Sequence, residues 1–322
     1  MNNLPIIVIG GEPNSVFSEI FVKSFKHSKK NKPIILFISY KLFLNQLNKL
    51  KLKCNHHLIK TNKIKNADLF KNKINKFNID YKFNKPFEKI SAKSNGYISE
   101  CFKFALDYAK NNKISGLING PISKKFFLKD KFLGVTEYLA NKLKVNQNYA
   151  MLIYNEKVSV SPLTTHLPIS MISANLKKNL IIKKILLINN FFKILNRKKP
   201  KITITGLNPH CENFVYKSEE EYIIKPALKS LVKKKLNIIG PVPADTIFIK
   251  ENLKKTNIVV GMYHDQVLAP IKALAGFNAI NITLGLPFLR ISPDHGPNEN
   301  MLGKNKSNYT SMLLALNFLN KI

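Results

Sequence analysis

Apolar residues fall along the chain in short runs of strand length that alternate with stretches of helical spacing. Ile6-Ile7-Val8-Ile9 is an unbroken apolar run between Pro5 and Gly10-Gly11, the pattern of a strand buried on both faces. Val16, Phe17, Ile20, Phe21 and Phe25 then recur every three or four positions and predict a helix over 15–27. Pro33 to Ser39 predicts a second strand, and 40–90, rich in Lys and Asn and weakly patterned, predicts short strands and a helix. Ser94 to Lys110 has apolar or aromatic residues at 97, 98, 102, 105 and 108 and reads as a helix. Ile114 to Ile118 reads as a strand running into Asn119-Gly120-Pro121. Strands over 150–160 and 201–206 flank a long apolar helix over 168–195. A helix over 219–235 opens on Glu219-Glu220-Glu221, acids suited to the positive end of its dipole. Ile258 to Met262 and Ala279 to Leu284 are further strands, and 307–320 is a closing helix. Strands alternating with helices predict α/β layers. There is no internal repeat and no Gly/Ser linker, so two domains are expected to exchange segments rather than follow one another.

Composition narrows the class. Over 322 residues the hydrophobic fraction is 45%, enough for a packed core and too high for a disordered tail. The apolar runs are far short of a membrane span. The first residues show no basic region, apolar core and cleavage site, and Cys54, Cys101 and Cys211 are odd in number and far apart. A reduced, cytoplasmic chain is therefore expected.

The formal charge of +33 points first to nucleic acid. Two details argue against it. Arg197 and Arg290 are the only arginines among 52 basic residues, whereas nucleic-acid readers favour arginine's bidentate fork. The lysines are also dispersed among Asn and Ile, as in a general compositional bias. Residues 241–300 escape that bias, with Lys250, Lys254, Lys255, Lys272 and Arg290 balanced by Asp245, Glu251, Asp265, Asp294 and Glu299.

In α/β proteins ligands bind beyond the carboxyl ends of strands. Several strand ends carry more polar residues than a turn needs: Gly11-Glu12-Pro13-Asn14, Thr164-Thr165-His166, Gly206-Leu207-Asn208-Pro209-His210 and Tyr263-His264-Asp265-Gln266. His166, His210 and His264 each follow an apolar run. Converging, they would form an open metal site, with Asp245 and Asp265 as carboxylate support. Their spacings match no local metal motif, and scattered turn or cap histidines explain them too. Arg290, after Gly285-Leu286-Pro287-Phe288-Leu289, is either a carboxylate or phosphate clamp or a surface ion pair. Lys272 and Asn281 lie near it in sequence. Neither GxGxxG nor GxxxxGK[ST] is present, so a Rossmann or P-loop site has no support.

Taken together these segments resemble the 4-hydroxythreonine-4-phosphate dehydrogenase family, nearly end to end. The resemblance is carried most strongly by Gly240-Pro241-Val242-Pro243-Ala244-Asp245-Thr246, Met262-Tyr263-His264-Asp265-Gln266, and Asn281 to Arg290 with Asp294-His295-Gly296. It implies a homodimer of two-domain α/β/α subunits, similar to isocitrate and isopropylmalate dehydrogenases. One domain would comprise 1–130 with 290–322, and the other 131–289. The implied active site lies in a cleft at the dimer interface. One divalent metal (Zn, Mg, Co or similar) would be held by His166, His210 and His264, one of them from the partner subunit. Thr136, Lys272, Asn281 and Arg290 would contact a phosphorylated amino acid. NAD or NADP would bind without a Rossmann fingerprint, its adenosine end near Asp294, His295 and Gly296. Lys272 is implied to grip anionic groups, and Asp245 or Asp265 would relay the hydroxyl proton. The implied reaction oxidises 4-phosphooxy-L-threonine to a β-keto acid that decarboxylates to 3-amino-2-oxopropyl phosphate, in pyridoxal phosphate biosynthesis. No nucleic acid or membrane partner is expected.

Three departures bear on this. Residues 11–19 lack two of the family's glycines; Gly134-Val135-Thr136-Glu137 has Val where the family has a substrate-touching His; and Pro297-Asn298 replaces Thr-Ala in the cofactor loop. Val135 keeps open a sister dehydrogenase acting on a phosphothreonate, another hydroxy acid or a diol. A basic nucleic-acid-binding protein on the same scaffold is the alternative from a different class.

Overall fold

The computed structural model describes residues 3–60, 64–129, 131–145, 148–195, 199–211, 218–276, 278–293 and 296–322. These form two compact units, the first running to Leu139 and resuming at Pro287–Ile322, the second continuous over Ala140–Leu286. The divisions fall nine and three residues from those expected at 130 and 289, and they put Thr136 in the same unit as Arg290.

In the first unit six strands run in the order β3 (His56–Ile59), β4 (Ile74–Asn78), β2 (Ile34–Ile38), β1 (Ile6–Ile9), β5 (Gly116–Asn119) and β12 (Arg290–Ser292). Every pairing among them is parallel. β1 is central and wholly buried, which is why its sequence is apolar throughout rather than alternating. Helices Phe17–His27 and Thr310–Lys321 pack on each other, and Phe17, Phe21 and Phe25 stack along the first. The segment 40–90, weakly patterned in sequence, contains a full helix, Tyr40–Leu50, whose first turn is capped by Ser39 Oγ accepting from Leu42 N–H.

In the second unit the order is β11 (Ile280–Leu284), β6 (Ala150–Tyr154), β7 (Ser159–Pro162), β10 (Ile258–Gly261), β8 (Ile202–Thr205) and β9 (Ile238–Val242). β6 pairs antiparallel with both β11 and β7, whereas β7, β10, β8 and β9 are parallel. Met151, Val160, Val259, Val267, Leu268 and Ile271 form one buried cluster between these strands and helix His264–Ala275. The long helix expected over 168–195 is interrupted: Lys177 is extended, and the regular helix is Lys178–Ile194. Asn175 offers the backbone a competing hydrogen bond, its Nδ2 donating to the Met171 carbonyl. Among the described residues no helix is long and apolar enough to cross a membrane. The three cysteines are free.

Candidate active site

The parallel strands β7, β10 and β8 are neighbours, so their carboxyl ends deliver His166, His264 and His210 to one edge of the second unit. The His166 turn is fastened to the end of β10. Thr164 donates to the Met262 carbonyl through both its N–H, at 3.0 Å, and its hydroxyl, at 2.7 Å. Lys184 Nζ, itself buried, donates to the Leu163 carbonyl at 2.6 Å. The His166 and His264 rings consequently stand 6.0 Å apart, centroid to centroid. His264 Nδ1 lies 2.6 Å from Asp265 Oδ1, a carboxylate–imidazole pair that fixes the ring and turns Nε2 to a ligand. His210 is exposed and has a left-handed backbone, φ 59°.

Among the described residues no three His, Cys, Asp or Glu side chains of one chain gather closely enough to hold an ion. The donor chemistry nevertheless fits a divalent cation, since two imidazoles face each other and one is already oriented by a carboxylate.

Asp245 is exposed at the start of helix Ala244–Ile247. Its charge acts on the Cys211 thiol, which burial chiefly and then Glu220 and Asp245 push up, so Asp245 neighbours the His210 turn. Lys272 is exposed on helix His264–Ala275. Asn281 is the second residue of β11, and its Oδ1 is a buried acceptor with no hydrogen-bond partner among the described residues. Such an atom costs free energy unless a donor reaches it.

Arg290 opens β12 beside Leu117 of β5 and is 2% exposed. It is therefore not a surface ion pair. Its Nε donates to Asn119 Oδ1 at 2.7 Å, and a terminal nitrogen donates to Thr136 Oγ1 at 3.2 Å. Burial pulls its pKa down to about 10, and Glu137 opposes the shift. Thr136 and Glu137 lie on helix Val135–Lys142, whose first residue is Val135. Gly296 is exposed, with no described atom within 4 Å of where a side chain would begin. Asp294 and His295 lie outside the described residues. Val16 N–H donates to the Pro297 carbonyl, and Glu12 nearby is buried, its pKa raised chiefly by that burial with Glu299 adding to it.

Sequence reasoning missed Asn119 and Glu137 as partners of Arg290. The available signal was their place at a strand end and beside Thr136, but only the fold brings them to position 290. Glu220 lies in a first helical turn, as expected, and has a further role that the sequence did not show: it is fully buried and accepts from the backbone of the Leu207-Asn208 turn.

Residues 29–319 match the family described as pyridoxal phosphate biosynthetic protein PdxA. A 4-hydroxythreonine-4-phosphate dehydrogenase of Sulfurihydrogenibium sp. (strain YO3AOP1) is 35% identical over 312 residues, covering 95% of this chain and 94% of the relative. A D-threonate 4-phosphate dehydrogenase of Salmonella typhimurium is 31% identical over 231 residues, 71% of this chain and 70% of the relative. Among solved structures, 4-hydroxythreonine-4-phosphate dehydrogenase from Klebsiella pneumoniae superposes with a TM-score of 0.83 at 26% identity, covering 99% of this chain and 98% of that one. With the family match and these full-length likenesses, the chain belongs to the PdxA family of pyridoxal phosphate biosynthetic proteins.

Proposed function

We propose that the chain is a 4-hydroxythreonine-4-phosphate dehydrogenase, oxidising 4-phosphooxy-L-threonine with NAD or NADP and a divalent cation such as Zn, Mg or Co, as a homodimer sharing its active site. The observation that carries this is the 35% identity, over 95% of the chain, to a relative of that name. Within the second unit the His166, His264 and Asp265 grouping supports it, and within the first the buried Arg290 held by Asn119 and Thr136 does so separately.

His166, His210 and His264, one of them from the partner subunit, would hold the cation, which when bound supplies Lewis acidity toward a substrate oxygen. The nicotinamide ring, when bound, accepts the hydride. The chain's own residues do the rest. Arg290, fixed by Asn119 and Thr136, and Lys272 bind the anionic groups of the substrate. Asn281 Oδ1 accepts from a substrate donor such as its ammonium. Asp245 or Asp265 takes the hydroxyl proton as the C–H pair leaves as hydride, producing the β-keto acid. Loss of carbon dioxide breaks the bond to the carboxyl carbon and leaves its electron pair on the adjacent carbon. A proton returned there completes 3-amino-2-oxopropyl phosphate.

Purified protein given NAD, a divalent cation and 4-phosphooxy-L-threonine should produce NADH, and a chelator should stop it. Val135, which can neither donate nor accept a hydrogen bond, and the D-threonate 4-phosphate dehydrogenase relative favour a second reading, in which the substrate is a phosphothreonate. NADH production from 4-phospho-D-threonate but not from 4-phosphooxy-L-threonine would replace the first reading by the second.

A further inference from the structure

A strand ladder fixes a strand but not the loop beyond its last bond. Two side chains of the second unit carry that control further. Gln266, half-buried two residues after His264, spends its whole carboxamide on two strand ends. Its Oε1 accepts from Met262 N–H at 2.7 Å and from the Thr205 hydroxyl at 2.8 Å, and its Nε2 donates to the Gly206 carbonyl at 2.8 Å. One amide thus ties the end of β10, which leads to His264, to the end of β8, which leads to His210. Glu220, 0% exposed, holds the next residues. Its Oε1 accepts from Leu207 N–H at 2.7 Å and Asn208 N–H at 2.9 Å, and its Oε2 accepts from Asn208 Nδ2 at 2.8 Å. Gly206 makes this approach possible, because a side chain there would begin 2.9 Å from Glu220 Oε1 and 2.5 Å from Cys211 Sγ.

Burying a carboxylate is costly unless its acceptor sites are filled. Here all three donors come from a single two-residue turn, so the charge that is buried secures one shape of the chain just before Pro209-His210. Neither Gln266 nor Glu220 belongs to the apolar cluster of β6, β7, β10 and helix His264–Ala275.

We propose that Gln266 and Glu220 are positioning residues, a hydrogen-bonded frame that fixes the two turns carrying His210 and His264 before any cation binds. The proposal rests on the reading of those histidines as metal ligands. Each residue acts through the ligand it places, and outer-shell partners of this kind change metal affinity by about 10- to 100-fold when removed.

The test is a Co²⁺ titration of the full-length protein, followed by its visible d–d absorption, together with thermal unfolding of the metal-free protein. Gln266→Met removes three hydrogen bonds at similar volume. Glu220→Gln keeps Oε1 but sets a donor against Asn208 Nδ2, which Glu219 Oε2 holds in place at 2.8 Å. Both variants should raise the Co²⁺ Kd by about 10- to 100-fold and change the band shape. Thr256→Val is the comparison. It breaks the 2.8 Å bond from the Thr203 hydroxyl at the opposite end of the same strands, and should lower thermal stability while leaving Co²⁺ affinity and spectrum at wild-type values. Wild-type Kd and spectrum in Gln266→Met and Glu220→Gln would overturn the frame, as would a Thr256→Val variant that weakens Co²⁺ as much as they do. A wild-type protein that binds no Co²⁺, or binds it equally well as His210→Ala, would overturn the metal reading itself and the frame with it.

Discussion

Arg290 and Lys76, both in the first unit, are 2% and 0% exposed, and they are buried for different reasons. Arg290 has fixed acceptors in Asn119 and Thr136 and a countercharge in Glu137. Lysine in its place would reach neither acceptor in the same plane. Arg290→Lys should therefore cut kcat/KM by about tenfold to a hundredfold, since a hydrogen bond to a charged group contributes about 1.5–3 kcal/mol, and a rise in KM should carry most of the loss in steady-state assays. Lys76 is the contrary case. It is 0% exposed, its Nζ has no hydrogen-bond partner among the described residues, and its amine stands 4.2 Å from the Tyr40 ring centroid and 5.5 Å from that of Phe43. Burial lowers its pKa to about 8, with Cys54 opposing. Because the folded pKa lies below the unfolded one, the penalty is present in full below about pH 8 and is relieved as pH rises toward the unfolded value near 10.4. Lys76→Met should stabilise the protein at pH 7 by about 1–2 kcal/mol, the aromatic faces offsetting part of the burial cost. The gain should shrink steadily between pH 8 and pH 10, as measured by urea unfolding followed by circular dichroism at each pH.

At the scale of elements, most of the strands and helices were legible because each carries its own period. Ile6–Ile9 and Ile258–Gly261 are apolar throughout, as strands covered on both faces must be. Among the elements that were not legible, three have definite reasons. β9 contains Gly240-Pro241, which breaks the pattern of a central strand but is tolerated at the edge of its unit's sheet. β12 has only three residues and exists because Arg290 and Ile291 pair with β5, a contact made across the whole chain. Helix His264–Ala275 begins on the very residues that read as a polar turn. The turn after β11 also depends on a glycine. Gly285 has φ +90°, and a side chain there would begin 2.1 Å from the Asn148 carbonyl oxygen. Gly285→Ala should cost about 2 kcal/mol or more from the left-handed backbone and the displaced loop together, read as a lower urea midpoint with an unchanged m-value.

Over the whole molecule, the +33 charge is a field rather than a site. It should draw phosphorylated substrate and anionic cofactor toward the protein, so kcat/KM should fall as ionic strength rises while kcat stays level. A kcat/KM independent of salt would confine the effect to contacts at Lys272 and Arg290. The site itself was only partly legible. His166, His210 and His264 stood out at strand ends, Arg290 as one of two arginines, and Asn281 through its nearness to Arg290 and the family resemblance. Gln266 and Asn119 lay in polar strand-end segments, but their roles, like those of Glu220 and Glu137, were not legible, because they depend on partners such as Thr205, Leu207 and Arg290 that only the fold brings near.

The first unit is built from two pieces of chain with the second unit inserted between them. A ribosome therefore releases every residue of 140–286 before the strand that begins at Arg290 exists. Until then β5 lacks β12, and the helix over 17–27 lacks its partner over 310–321. The inserted unit can complete its core during synthesis, while the amino-terminal segment waits, apolar and unfinished, for the last 36 residues. The hydrogen bonds from Arg290 to Asn119 and Thr136 therefore form only after the inserted unit has been made, and the nascent amino-terminal segment is where this chain would most need a chaperone.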